Sequence, residues 1–311
     1  MNEKISVVIV NFKNQKETLE CLESLLSNTQ SCKLSCQIIV VDNGSNDGLE
    51  SRLKVSFPRV STLVLPHNLG FAGASNVGIL HALRNNAEYV FLLNNDAFVN
   101  KNTIDRLVNV FSRDPTVGVV GATVLYYDNP RVIDNMGAKV NFFTGNSSFF
   151  ANGDIYGETL EEIDVDYTCG AAMMIKKEVF CNTGLLPEYY FLYGEEEDFC
   201  VRARRKGYRV VVSAKATVLH RASSTVKKYP GLKNYYFHRN RHIFLRLYAN
   251  KIQYFFAVFY SAFIVFPYYF FKYIVRGRSN LQEGRIELFS FVKGVFDGLR
   301  LKTGYTKKVS Q

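Results

Sequence analysis

Four short, charge-free runs rich in β-branched and aliphatic residues recur within the first hundred positions, at 5–10, 37–41, 61–65 and 90–93, and they constrain the fold more than any other feature. None alternates apolar with charged residues, so each reads as a strand buried on both faces, the habit of parallel sheets. Parallel neighbours need crossovers, and helical spacing supplies them. Leu19, Leu22, Leu25 and Leu26 mark a helix over roughly 16–28, and a second is expected over 74–85. The expected class is α/β: a Rossmann-like, mostly parallel central sheet flanked by helices.

Each run is followed by turn-forming residues: Asn11-Phe12-Lys13-Asn14, Asp42-Asn43-Gly44-Ser45, His67-Asn68-Leu69-Gly70 and Asn94-Asn95-Asp96. Open α/β sheets bind ligands at the carboxyl ends of their strands. Asp96, delivered by a buried strand and followed by a renewed apolar run to residue 99, is therefore the foremost candidate; a plain Asn/Asp turn is the alternative. A dinucleotide site is disfavoured. It needs glycines directly after the first strand so that backbone amides can approach a pyrophosphate, and 11–15 holds none. Phosphates would be met instead by a divalent cation on Asp96.

Beyond this point Asn102 is placed to cap a helix with Ile104, Leu107, Val108 and Phe111 on one face. Strands are expected at 117–127 and 166–176, with hairpins and loops over 128–165. Residues 195–198, Glu-Glu-Glu-Asp, open a helix expected to run to Gly207. An acidic first turn complements the helix dipole, but four carboxylates exceed that need. Their mutual repulsion favours proton uptake by at least one, which suits a general base. Closing strands at 208–212 and 216–220 leave His220 at a strand end.

The net charge of +10 is unevenly spread: residues 1–200 carry 15 Lys and Arg against 25 Asp and Glu, and residues 201–311 carry 23 against three, Glu283, Glu287 and Asp297. Such a basic back half suits an anionic surface or a polyanion. Residues 252–271 hold no charge between Lys251 and Lys272, a length that can span a bilayer, although their many Phe and Tyr rings favour its interface. Arg276, Arg278, Arg285 and Lys293, interspersed with Phe289, Phe291, Val295 and Phe296, fit anionic headgroups. The alternative is a homo-oligomer whose aromatic helices pack against a second copy. Basic residues within 235–241 either contact phosphates or face solvent. Six cysteines form neither a CxxC pair nor a zinc pattern and read as reduced, small apolar side chains. The apolar run at 5–10 is too short for a signal peptide, so the globular part is expected in the cytosol.

Taken in order, 7–12 (VVIVNF), 40–48 (VVDNGSNDG), 68–79 (NLGFAGASNVGI), 91–99 (FLLNNDAFV), 169–180 (CGAAMMIKKEVF), 191–210 (FLYGEEEDFCVRARRKGYRV) and the segment at His220 resemble inverting family 2 glycosyltransferases of the GT-A fold, in the branch that includes bacterial rhamnosyltransferases. The resemblance spans about 5–245. It implies a GT-A catalytic domain over 1–225, with a nucleotide-sugar half over about 1–100 and an acceptor half over about 101–225; the basic, aromatic region 226–311 reads, from its own residues, as helical and membrane-associating. It implies that Asn11 and Asp42 hold the nucleoside and that Gly70, Phe71 and Asn76 wall its pocket. Asn95 and Asp96 stand at the diphosphate, with Asp96 and His220 as ligands of Mg²⁺ or Mn²⁺. Asn94 stands where many relatives carry a further Asp, and no metal is assigned to it. Glu196 is implied as the base with Glu195 as its alternative, and Arg202 as a basic position that either contacts substrate or forms a salt bridge.

The implied activity is transfer, with inversion, of a sugar from a nucleoside diphosphate sugar to a hydroxyl of a lipid-linked glycan, in cell-surface polysaccharide or O-antigen synthesis. The donor is first dTDP-L-rhamnose and next a UDP-hexose, and the place is the cytoplasmic face of a bacterial inner membrane. No nucleic acid is expected. A catalytically silent, membrane-bound nucleotide- or glycan-binding module is the alternative, disfavoured because binding alone needs no base. Nucleotidyl transfer is disfavoured by the missing glycine- and Arg/Lys-rich phosphate loop near the N-terminus.

Overall fold

Strands β1 (Lys4–Asn11), β2 (Ser35–Asp42), β3 (Ser61–Val64) and β4 (Tyr89–Asn94) run parallel in the order β3-β2-β1-β4. Helices α1 (Gln15–Thr29), α2 (Leu49–Ser56) and α3 (Gly70–Arg84) make the crossovers. Ile5, Val7, Ile9, Val40 and Phe91 are wholly buried, as charge-free strands require. The register then builds an edge. Asn11 stands opposite Asp42, and Val10 opposite Asn94, so three strand ends finish together.

The other strands are β5 (Ala97–Val99), β6 (Val117–Tyr126), β7 (Ile133–Asn135), β8 (Ala138–Asn141), β9 (Asn146–Phe149), β10 (Ile163–Asp164), β11 (Ala172–Lys176) and β12 (Arg209–His220). Antiparallel β11 lies between β4 and β6, and β12 runs parallel to β6, so the sheet is parallel in front and mixed behind. β8 and β9 form a separate two-stranded sheet. The computed structural model describes residues 4–29, 34–157, 162–221, 231–276 and 281–304. They group into two compact units: Met1–Lys139, Phe149–Pro187 and Glu196–Ser223 in one, Val140–Ser148, Glu188–Glu195 and Ser224–Gln311 in the other. Arg278, named above for headgroups, lies outside the described residues.

Local structure departs from the sequence pattern at identifiable places. α3 starts at Gly70 rather than 74, because the backbone N–H groups of Leu69 and Gly70 find acceptors in the side chains of Asn43 and Asn68, each at 2.8 Å. Helix α4 (Thr103–Arg113) buries the predicted face, but Asn102 is left-handed (φ 63°) and makes no side-chain cap. Thr103 instead donates its hydroxyl to the Thr217 carbonyl at 2.8 Å. The two closing strands are one, β12, with an irregular register at Ser213/Thr217. Helix α5 (Lys177–Thr183) and α2 are too short to show a period. The acidic run opens α6 (Glu195–Arg205), which ends two residues before Gly207.

In the second unit α7 (Leu232–Tyr248) packs along α10 (Leu281–Leu299). Two glycines on α10 permit the approach: a Cβ at Gly294 would fall 2.6 Å from the Tyr235 carbonyl oxygen, and one at Gly298 2.5 Å from that of Arg239. Asn250 and Gln253 cap the next helix reciprocally. It runs through α8 (Lys251–Tyr260), a π-helical stretch Ser261–Val265 and α9 (Phe266–Arg276). The wide turn falls just before Pro267, which lacks an N–H and crowds the preceding turn. Lys251–Val275 is long and apolar enough to cross a membrane, with Phe255, Phe259, Phe263 and Phe271 exposed. His238 and His242 on α7 are buried, and burial, with Arg241 nearby, pushes their pKa values down to about 3 and about 4.

Candidate active site

At the edge where β1, β2 and β4 end, one chain of side-chain hydrogen bonds joins all three. Asn95 donates to the Thr18 hydroxyl at 2.9 Å, Thr18 donates to Asn11 Oδ1 at 2.9 Å, and Asn11 Nδ2 donates to Asp42 Oδ1 at 3.1 Å and Ser45 Oγ at 3.0 Å. Asn11 is wholly buried with both ends of its amide engaged, so it orients Asp42 and Ser45. Asn43 closes the adjoining loop by donating to Asn68 and to the Gly70 carbonyl. Gly44 makes this loop possible: it has φ 73°, and a Cβ there would lie 2.7 Å from the His67 main chain. Phe71, half-buried, follows Gly70 in the first turn of α3.

Asp96 lies in the turn between β4 and β5, nearly buried. β5 pairs antiparallel with the end of β12, which sets His220 opposite Ala97 and brings its ring to Asp96. His220 Nε2 is 3.2 Å from Asp96 Oδ1, and its Nδ1 is 3.6 Å from Asp134 on β7. Burial opposes the charged imidazole, but Asp134 and Asp96 together outweigh it and raise its pKa to about 9. An Asp96 carboxylate 3.2 Å from the His220 ring is a fitting partial shell for a divalent cation, which would displace the imidazole's proton, since only neutral imidazole binds a metal. Among the described residues no group of three or more His, Cys, Asp or Glu is arranged to hold a metal. Such a cation would need further oxygens from a ligand or water.

The acidic helix start reaches the same neighbourhood through Glu196. A Cβ at Gly170 would stand 3.7 Å from the Glu196 carboxyl carbon. The neighbouring Cys169 thiol is pushed up to about 12, first by burial and then by the charges of Glu196, Asp134 and Asp96. Three carboxylates thus act on one half-buried cysteine. Glu195 is buried while Glu196 and Glu197 are half-buried. Asp198, wholly buried, accepts from Arg202 Nε at 2.8 Å. Arg202 also donates to the carbonyls of Thr183 and Leu185, so it braces α6 as a salt bridge. Asn76 likewise spends its amide on structure, donating to the Leu186 carbonyl at 2.9 Å and accepting from its N–H at 3.0 Å.

Sequence reasoning missed Thr18, Asn43, Ser45 and Asp134. Asn43 and Ser45 lay inside a segment already marked as a turn, so a signal existed. Thr18 and Asp134 sit within a helix and a three-residue strand and carried none. Of the basic side chains in 235–241, Arg239 and Arg241 serve neither phosphate nor solvent. Both are buried, and their guanidinium groups donate to main-chain carbonyls.

A family model described as Glycosyl transferase family 2 matches residues 6–182. A hexosyltransferase of low-salt glycan biosynthesis from Haloferax volcanii is 30% identical over 216 residues, which cover 68% of this chain and 64% of that protein. The chain therefore spans just under two thirds of that relative's length. An N-acetylglucosaminyl-diphospho-decaprenol L-rhamnosyltransferase from Mycobacterium tuberculosis is 25% identical over 265 residues, 79% of this chain and 85% of that one. Among solved structures, a mannosyltransferase from Pyrobaculum calidifontis in complex with GDP-Man and Mn²⁺ superposes with a TM-score of 0.59 at 14% identity, covering 96% of this chain and 88% of the other. That likeness is one of fold: the α/β GT-A architecture.

Proposed function

The chain belongs to glycosyl transferase family 2, and from that premise we propose that it moves a sugar, with inversion, from a nucleoside diphosphate sugar to a hydroxyl of a lipid-linked glycan at a membrane surface. The observation that carries this reading is His220 set between Asp96 and Asp134 at the end of the strand edge that holds Asp42, with the Glu196 carboxylate close to Gly170.

In this reading Asp42, oriented by Asn11, meets the base of the nucleotide, and the loop from Asn68 to Phe71 walls it. Asp96 and His220 would hold Mg²⁺ or Mn²⁺, whose positive charge offsets that of the departing nucleoside diphosphate. Glu196 takes the proton of the acceptor hydroxyl as its oxygen attacks the anomeric carbon. A single displacement inverts that carbon. Glu196 is half-buried, whereas Glu195 is nearly closed off, and this favours Glu196 as the base. Binding alone would need no such base, and this weighs against a silent module.

A lipid-linked acceptor agrees with the diphospho-decaprenol in the name of the mycobacterial relative and with the exposed aromatic helix Lys251–Val275. Its basic flanks suit the anionic cytoplasmic leaflet of a bacterial inner membrane. dTDP-L-rhamnose is the first donor to test, with UDP-hexoses next. The test is a thermal-shift screen of nucleotide sugars with Mn²⁺. The correct donor at a hundred times its Kd adds about 2.7 kcal/mol to stability and raises Tm by several degrees. A flat response across dTDP-, UDP- and GDP-sugars would reject the donor class. Flotation with anionic vesicles tests the surface: binding is expected, and release by high salt alone would argue against insertion of Lys251–Val275.

A further inference from the structure

The loop that precedes the acidic helix is held in an unfavourable backbone. Phe191 and Tyr193 both have φ 67°, and Gly194 has φ 96°. Two non-glycine residues in the left-handed region within three positions cost free energy that surrounding structure must offset. Within the second unit, α7 supplies that restraint from two adjacent side chains.

Asn240 Nδ2 donates to the carbonyls of Tyr190 at 3.2 Å, Leu192 at 2.8 Å and Tyr193 at 2.6 Å. Three acceptors on one amide nitrogen with two hydrogens mean that at least one bond is shared. Arg239 sets the direction of that amide, because its Nε donates to Asn240 Oδ1 at 2.8 Å. Its Nη2 reaches the carbonyls of Tyr190 at 2.5 Å and Tyr189 at 3.3 Å, and its Nη1 that of Gly304. The guanidinium lies over the Tyr236 ring, 4.7 Å from the centroid, and only 1% of Arg239 is exposed. A buried cation is an expensive way to fill space, and an apolar side chain of similar volume would pack at lower cost. What the fork adds is direction.

Resting on the glycosyltransferase reading above, we propose that Arg239 and Asn240 are positioning residues: they fix loop 189–194 and so set where the first carboxylates of α6, Glu195 and Glu196, stand. The loop runs into that helix without a spacer, so a shift of its carbonyls is passed along the main chain to the base. Gly194 belongs to the same device, with the Asn240 Cβ 3.6 Å from where its own Cβ would be.

The test uses Asn240→Ala and Arg239→Lys in the full chain. Each is expected to lower kcat on the order of 10²-fold, the usual result of an ångström-scale misplacement, with donor KM within about threefold of wild type. Lysine keeps the charge but lacks the fork, so it is not expected to rescue. Hydrogen exchange of peptides covering 189–198 should quicken in both variants while Tm falls only slightly. A lower Tm with unchanged kcat would reduce the pair to a structural role, and a raised donor KM at constant kcat would make them substrate contacts. Either result overturns the proposal. If Arg239→Lys does not fold, Asn240→Ala decides. If wild-type protein transfers no sugar, the catalytic reading has failed, and unchanged exchange at 189–198 in Asn240→Ala would then count separately against the positioning role.

Discussion

Asp96→Asn is expected to reduce sugar transfer at saturating donor by about three orders of magnitude, with Asp96→Ala no better. A hard divalent cation needs charged oxygen, and an amide of the same shape supplies a neutral, weaker ligand. The loss of several kcal/mol of stabilisation of the leaving diphosphate, at about 1.36 kcal/mol per tenfold, sets the size of the effect. The fold should tolerate the change. Asp96 sits in a turn, its main-chain carbonyl still accepts from the Arg221 N–H at 3.1 Å, and the isosteric amide refills the same space against His220. Binding of a nucleoside diphosphate in the presence of Mn²⁺, followed by calorimetry, should weaken in parallel, while binding without metal changes little. Activity within tenfold of wild type at equal Tm would remove Asp96 from the metal role.

How much of this could be read before the fold was seen depends on the range over which each signal acts. The parallel front half was legible because burial on both faces of a strand excludes charge locally, and 5–10 and 37–41 display that exclusion residue by residue. The common edge of Asn11, Asp42 and Asp96 followed from the strand ends alone. His220 was legible only by resemblance, because its meeting with Asp96 depends on the pairing of β5 with β12, which no local period encodes. Asp134 gave no signal: β7 is three residues long and is fixed by its partner β6. Asn76 matched a pocket by position, yet its amide pairs with the main chain of Leu186, a partner a pattern cannot show, whereas the salt bridge offered for Arg202 is there, to Asp198 four residues earlier on the same helix. Arg239 was misread for the same reason. A cation among aromatic residues looks solvated or phosphate-bound until the carbonyl it serves, 49 residues earlier, is placed beside it.

Glu196→Gln should cost between about 10² and 10⁴ in kcat, the span over which a positioned general base contributes. Glutamine keeps the length and most of the hydrogen bonding of glutamate but cannot take up the acceptor's proton, so donor affinity should hold while chemistry slows. Glu195→Gln is the informative comparison, since it neutralises the adjacent carboxylate in the same turn. Glu195 is only 4% exposed, which leaves little room for an acceptor hydroxyl, and its loss is expected to lower Tm more than kcat. Were general electrostatics of the acidic turn responsible, both substitutions would slow transfer alike. A base acting at one atom predicts asymmetry instead: a severe defect at 196 and less than tenfold at 195. The reverse asymmetry would move the base to Glu195, and near-normal kcat in both would dismiss the acidic turn as its source.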